Sequence, residues 1–164
     1  MLLTLKPLFL GDQTNLPIHT ELDLSQLEFS GSFPFTQPIK LQGAVVKSAG
    51  IVTLRAKATY TFHGVCDRCL TPFRRQDTVD VEHILVTTLE NEENEDFVLI
   101  DNYQLPLDDL ITADILLQLP SKNLCREDCR GLCPQCGKNL NEGLCDCKSE
   151  TTDPRLEVLR QLLD

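Results

Sequence analysis

The chain has 164 residues, a formal net charge of −10, 41% hydrophobic residues and 24% charged residues. That length fits one domain with at most a small appendage, and the composition is that of a chain able to bury its own core. The net acidity excludes coating of nucleic acid or anionic membrane by bulk charge, and no apolar run approaches the roughly 20 residues of a membrane-spanning helix.

The charge is uneven along the chain. Residues 1–87 carry eight Lys+Arg against eight Asp+Glu, residues 88–120 carry nine acids and no base, and residues 121–164 carry seven bases against eight acids. Nearly all of the negative charge therefore belongs to one stretch, and the body before it is neutral.

The first ten residues do not follow a signal-peptide pattern. Lys6 lies inside the apolar stretch, Pro7 interrupts it, and no small-residue cleavage site follows. The expectation is a cytoplasmic protein whose thiols stay reduced. Residues 1–35 show no strong period, and Leu22, Leu24 and Leu27 suit either a strand or a short helical turn. Gly31, Pro34 and Pro38 predict a loop over 30–38.

From residue 39 the pattern becomes β. Val52, Leu54, Ala56, Ala58, Tyr60 and Phe62 alternate with Thr53, Arg55, Lys57, Thr59, Thr61 and His63, a period of two with one apolar face. A turn at 47–50 joins this strand to one at 39–47, and a third strand is predicted over 73–87. Short connections make an antiparallel meander the simplest topology.

Residues 90–96 read as a solvated acidic loop, or as a docking tail for a basic partner, and 97–100 as a short returning strand. A helix is predicted over 107–118, with Leu107, Leu110, Ile111, Ile115 and Leu117 on its apolar side. Asp108 and Asp109 suit its N-terminal end, and Pro120 closes it. Residues 121–152 hold six of the eight cysteines and too little apolar content to fold by burial alone. Asp153 as N-cap and Pro154 at the first helical position start a last helix with Leu156, Leu159 and Leu163 on one stripe, expected to dock on the sheet. The expected architecture is α+β: an antiparallel meander or partly closed sheet, one or two helices, and a C-terminal Cys-rich zinc-binding segment. Its expected organisation is a body over 1–120, the Cys-rich segment over 121–152 and a terminal helix over 153–164.

The cysteines form four close pairs: Cys66 and Cys69, Cys125 and Cys129, Cys133 and Cys136, Cys145 and Cys147. Zinc takes four soft donors in a tetrahedron, and a C-x2-C turn sets two thiolates on one side of an ion. Pro134 and Gly137 favour that tight turn after Cys133. One site built from 133, 136, 145 and 147 and a second from 66, 69, 125 and 129 is geometrically plausible. A swapped pairing, such as 66/69 with 133/136, is also possible. One or two structural zinc ions are expected. An all-thiolate site leaves no open position for catalytic water, and the sequence has no phosphate loop, nucleophile elbow or H-E-x-x-H motif. His19, His63 and His83 are scattered, and His63 reads as an outward-facing strand residue. A non-enzymatic protein without a small-molecule substrate is expected.

Three blocks together resemble a known family. They are residues 65–73 around Cys66 and Cys69, residues 125–141 with the string CPQCGKNLN, and residues 153–159. In order, spacing and length the chain resembles the Cys-rich branch of the YceD family, the large ribosomal RNA subunit accumulation proteins. The resemblance implies a cytoplasmic factor needed for normal amounts of large-subunit (23S) ribosomal RNA, with pre-ribosomal RNA or a basic ribosomal protein as partner. Arg55, Lys57, Arg68, Arg74, Arg75 and Lys138 are the RNA-facing candidates on this reading. The alternative is a zinc-thiolate redox sensor or holdase, in which oxidation releases metal and frees a partner-binding helix.

Overall fold

A computed structural model describes residues 1–88 and 97–147. Strands dominate. The elements are β1 (Leu2–Thr4), α1 (Lys6–Leu10), β2 (Asn15–Leu22), β3 (Ile39–Ser48), β4 (Ile51–Val65), β5 (Pro72–Val86), β6 (Phe97–Leu99), β7 (Gln104–Pro106) and α2 (Leu107–Gln118). The acidic residues 90–96 and the terminal helix expected over 153–164 lie outside the described residues.

The alternation in the sequence becomes the two faces of a five-stranded sheet, ordered β2-β3-β4-β5-β6. Ala49 and Gly50 take φ of 49° and 84°, so a two-residue turn of left-handed backbone joins β3 to β4 with the twist a hairpin needs. β4 and β5 are both 15 residues long and pair along almost their whole length, from Val52↔Leu85 to Val65↔Pro72. The β4 residues expected to face inward, from Val52 to Phe62, are all buried. They meet Val79, Val81 and Leu85 from β5, and Leu41 and Val45 from β3.

The helix α2 covers part of this face with Leu107, Ile111 and Ile115. A hydrogen bond of 2.8 Å between His83 Nε2 and the accepting Asp114 Oδ2 ties it to β5. It stops at Leu119, whose extended backbone is what a following proline imposes. Leu117, expected on the apolar side, is 84% exposed. The buried stripe is narrower than the leucine pattern suggests, because 107, 111 and 115 repeat every four residues and 117 falls on the far side.

Two features depart from the expected meander. β6 pairs with β5 in parallel, Ile84↔Phe97 to Val86↔Leu99, so the chain runs on in the same direction after residues 89–96 rather than returning. The N-terminal residues, which showed no clear period, supply β1, α1 and β2. β1 pairs with β7 in a separate two-stranded sheet, and Leu5 and Leu8 are fully buried beside it. These segments are three to eight residues long, too short for a period to register.

Candidate metal centre

The end of β4 runs directly into Cys66, and β5 starts just after Cys69, so the first C-x2-C sits in the connection at one end of the longest hairpin. The turn is closed by two backbone bonds. Leu70 N–H donates to Cys66 O at 2.9 Å, and Cys66 N–H donates to Thr71 O at 3.0 Å. Leu70 takes a left-handed φ of 57° to make this possible.

The second C-x2-C repeats the arrangement 67 residues later along the sequence. Gly137 N–H donates to Cys133 O at 2.9 Å, Cys133 N–H donates to Lys138 O at 2.8 Å, and Gly137 has φ of 74°. A glycine meets that backbone without a Cβ penalty, whereas Leu70 carries one. A bridge between Leu132 and Asn139 holds the ends of the second turn together.

These turns gather the eight cysteines into two groups of four. Cys66, Cys69, Cys125 and Cys129 form one, and Cys133, Cys136, Cys145 and Cys147 the other, with all four sulfurs of each group within 4.8 Å of one another. This is the first of the two partitions left open by the spacings. Across the first group, Cys66 Sγ lies 3.7 Å from Cys129 Sγ and Cys69 Sγ lies 3.6 Å from Cys125 Sγ. Those distances are far beyond a disulfide and close to the sulfur–sulfur edge of about 3.8 Å in a tetrahedron around zinc. The donor set therefore fits a closed, tetrahedral, thiolate-bound metal ion.

The supporting groups fit as well. Burial acts to push the Cys66 thiol up, but backbone N–H groups of Cys125, Cys69 and Arg68 point at the sulfur and outweigh it, bringing its pKa down to about 6. Cys133 reaches about 6 through the N–H groups of Cys136 and Gln135. The last members of each group go the other way. Burial first, then hydrogen bonding among the neighbouring thiols, raises Cys125 to about 12, and bonding to Cys136 followed by burial raises Cys147 to about 12. Four thiolates cannot ionise together at this spacing without a cation, and a bound dication removes that repulsion. Asn141 Nδ2 donates to Cys129 Sγ at 3.3 Å, a direct contact from the hairpin of the second group to a ligand of the first.

The first group also bolts residues 121–132 to the sheet. Asp67 N–H donates to Asn123 O at 2.8 Å, and Asn123 N–H returns a bond of 2.7 Å to Asp67 Oδ2. Arg68 donates to Cys129 O at 2.9 Å and accepts, through its own carbonyl, the N–H of Leu132 at 3.1 Å. Gly131 packs against Arg68 so closely that a Cβ there would lie 3.0 Å from the Arg68 carbonyl oxygen. None of these contacts is visible in the spacing of the cysteines.

The basic residues singled out in the sequence fall into different surroundings. Arg55 and Lys57 stand on the outward face of β4 and pair across the strands with Glu82 and Asp80, both at 2.7 Å. Arg75 lies on the core-facing side at the sheet edge, bonded to Asp77 and placed 5.9 Å over the Phe62 ring. Arg68 braces the first cysteine group, and Lys138 Nζ donates to Leu144 O at 2.7 Å across the second. Arg74 is exposed and makes no ion pair among the described residues. His63 is not a member of either cysteine group. Among the described residues no helix is long and apolar enough to cross a membrane.

No solved structure matches this chain. Uncharacterized proteins of Mycobacterium bovis and Mycobacterium tuberculosis are each 32% identical to it over 120 residues, which is 71% of this chain and 57% of theirs. The chain thus spans little more than half the length of these relatives. The model of one family, described as large ribosomal RNA subunit accumulation protein YceD, matches residues 54–163, a span that begins in β4 and takes in both cysteine groups, and the chain belongs to that family.

Proposed function

We propose that this protein is a non-catalytic ribosome-biogenesis factor that supports accumulation or processing of large-subunit (23S) ribosomal RNA in the cytoplasm. Two structural zinc ions hold its working surface. The observation that carries the reading is the family match over residues 54–163. The two closed groups of four thiols support its structural side. Four thiolates satisfy zinc fully and leave no position for a reacting water, so the metal's part is to fix shape. The sheet and the cysteine segment then form one rigid body for pre-ribosomal RNA or a basic ribosomal protein.

Sedimentation tests it. The tagged full chain should travel with large-subunit particles at low salt and leave them as salt rises. Confinement to the top of the gradient at low salt would overturn the reading.

The exposure of Cys136 in the second group favours a second reading, a thiolate redox sensor or holdase. It requires that mild oxidant release zinc from this group and that the oxidised protein suppress aggregation of an unfolded client. Zinc loss without holdase activity would remove it.

A further inference from the structure

Most of the outward face of the sheet is polar. On β4 it carries Thr53, Arg55 and Lys57, and on β5 Thr78, Asp80 and Glu82, with the charges paired across the strands. The pattern changes at one end. After Glu82 the outward positions of β5 become Ile84 and Val86, since Leu85 between them is buried. The parallel register sets Phe97 beside Ile84. Ile51, the first residue of β4, takes the same face by alternation with Thr53 and is 53% exposed. Ile51, Ile84, Val86 and Phe97 line a groove of about 600 Å³, together with Phe9 of α1. Among the described residues no charged side chain lines it, and its polar side chains are the hydroxyls of Thr87 and Thr88. A contiguous apolar patch bordered by polar surface marks a place of contact.

Charge decides what fits there. Thr88 and Phe97 both line the groove, and the sequence between them, residues 89–96, has five acids and no base. Over residues 88–120 the count is nine acids and no base. Among the described residues, Lys47 is the one base whose side chain bonds a lining residue, with its Nζ on the Phe9 carbonyl at 3.4 Å. A phosphate backbone, an anionic membrane or a second copy of this chain would each bring negative charge to negative charge. A cationic polypeptide gains instead, within a screening length of about 8 Å at physiological salt. The apolar walls ask in addition for one large carbon side chain.

We propose that this groove holds one large apolar side chain of a Lys/Arg-rich polypeptide segment, whose flanking cations answer the acidic surroundings. The assignment of that segment to a basic ribosomal protein rests on the ribosomal reading above. Ile51 and Cys66 lie at opposite ends of β4, on the order of 40 Å apart along the strand, so binding here is separable from the cysteine groups.

The test uses the full metal-loaded chain and fluorescent peptides of about twelve residues, read by anisotropy. The parent peptide is rich in Lys and Arg around one central Phe. One control replaces the Phe by Ser, and another replaces every base by Glu. The parent should bind at least about tenfold more tightly than the Ser control, and the Glu control should not bind. Added salt should weaken the parent. Ile51→Gln should weaken it by about tenfold and Val86→Thr by a few-fold, with Tm and zinc content unchanged. Equal binding of the Ser control, or unchanged affinity in both variants, means attraction by bulk charge alone and overturns the proposal. Absence of parent binding overturns it too, the result expected if other residues of this chain already fill the groove. So does an oligoribonucleotide whose binding Ile51→Gln weakens. Should Ile51→Gln prove less stable, Val86→Thr, which keeps shape and β-branching, decides together with the Ser control. If no peptide binds while the chain sediments with large-subunit particles, the groove proposal falls and the ribosomal reading stands. If anchor-dependent binding is found but the chain never sediments with particles, the groove stands as a basic-peptide site and its ribosomal source falls.

Discussion

Cys66 and Cys133 open turns of the same form, each closed by the same pair of backbone bonds and by a residue of positive φ four positions on. Their surroundings differ. In the first group Cys66, Cys69 and Cys129 are buried, and the ligands come from two places, the β4–β5 connection and a segment more than 50 residues later. In the second, all four ligands lie within 15 residues, Cys133 to Cys147, and Cys136 is exposed. A metal ion in the first would join two parts of the fold. A metal ion in the second would organise a local loop. The same donor set would thus act, once loaded, as a long-range crosslink in the first group, removing much chain entropy from the unfolded state, and as a local clip in the second, removing little.

Replacing one ligand in each group is the sharpest way to break that comparison. Cys66→Ser should lose one equivalent of zinc and release residues 121–147 from the sheet. Zinc binding in small domains is worth on the order of 10 kcal/mol, so even partial loss should cost several kcal/mol in a denaturant melt. Cys136→Ser should also lose one equivalent, yet the melt of the β body should move by less than about 1 kcal/mol, since among the described residues no strand supplies or directly adjoins a ligand of the second group. Metal analysis with urea unfolding of both variants checks the pair. Equal destabilisation would mean that the second group also braces the sheet.

Next in size is the contact between the groups. Asn141 donates to Cys129 Sγ and accepts at its Oδ1 from Arg130 N–H and Arg126, both at 2.8 Å. Outer hydrogen bonds of this kind typically tune metal affinity by about 10- to 100-fold. Asn141→Leu should therefore weaken zinc at the first group by about that factor while leaving the second unchanged, as read by competition with a chromogenic chelator. Weakening at both groups alike would show that they load as one unit.

How much of this was legible in the sequence follows from the range of each interaction. The period-two run over β4 fixes its buried face because side-chain direction alternates locally. The cysteine spacings expose ligand pairs for the same reason, but pairing the pairs needs tertiary contacts. Asp67 with Asn123, and Arg68 with Cys129 and Leu132, join residues more than 55 positions apart and leave no periodic trace. The parallel pairing of β6 escaped because three paired residues carry no signal of strand direction. The bases misled by proximity. Arg75, between Arg74 and Gln76, turns inward by strand alternation and meets Asp77, while its neighbour Arg74 remains outside.

The smallest expected effect isolates the turn itself. Leu70 and Gly137 occupy equivalent positions, with φ of 57° and 74°. A left-handed residue other than glycine costs about 1–2 kcal/mol, while glycine adds about 0.5–1 kcal/mol of unfolded-state entropy to be lost. Leu70 is 63% exposed, so its side chain contributes little burial to offset the backbone cost. Leu70→Gly should therefore raise stability by up to about 1 kcal/mol, and Gly137→Leu should lower zinc affinity at the second group by about tenfold. Thermal melts read the first and chelator competition the second. A Leu70→Gly protein less stable than wild type would mean that the leucine side chain packs on something, and the equivalence of the two turns would then end at the backbone.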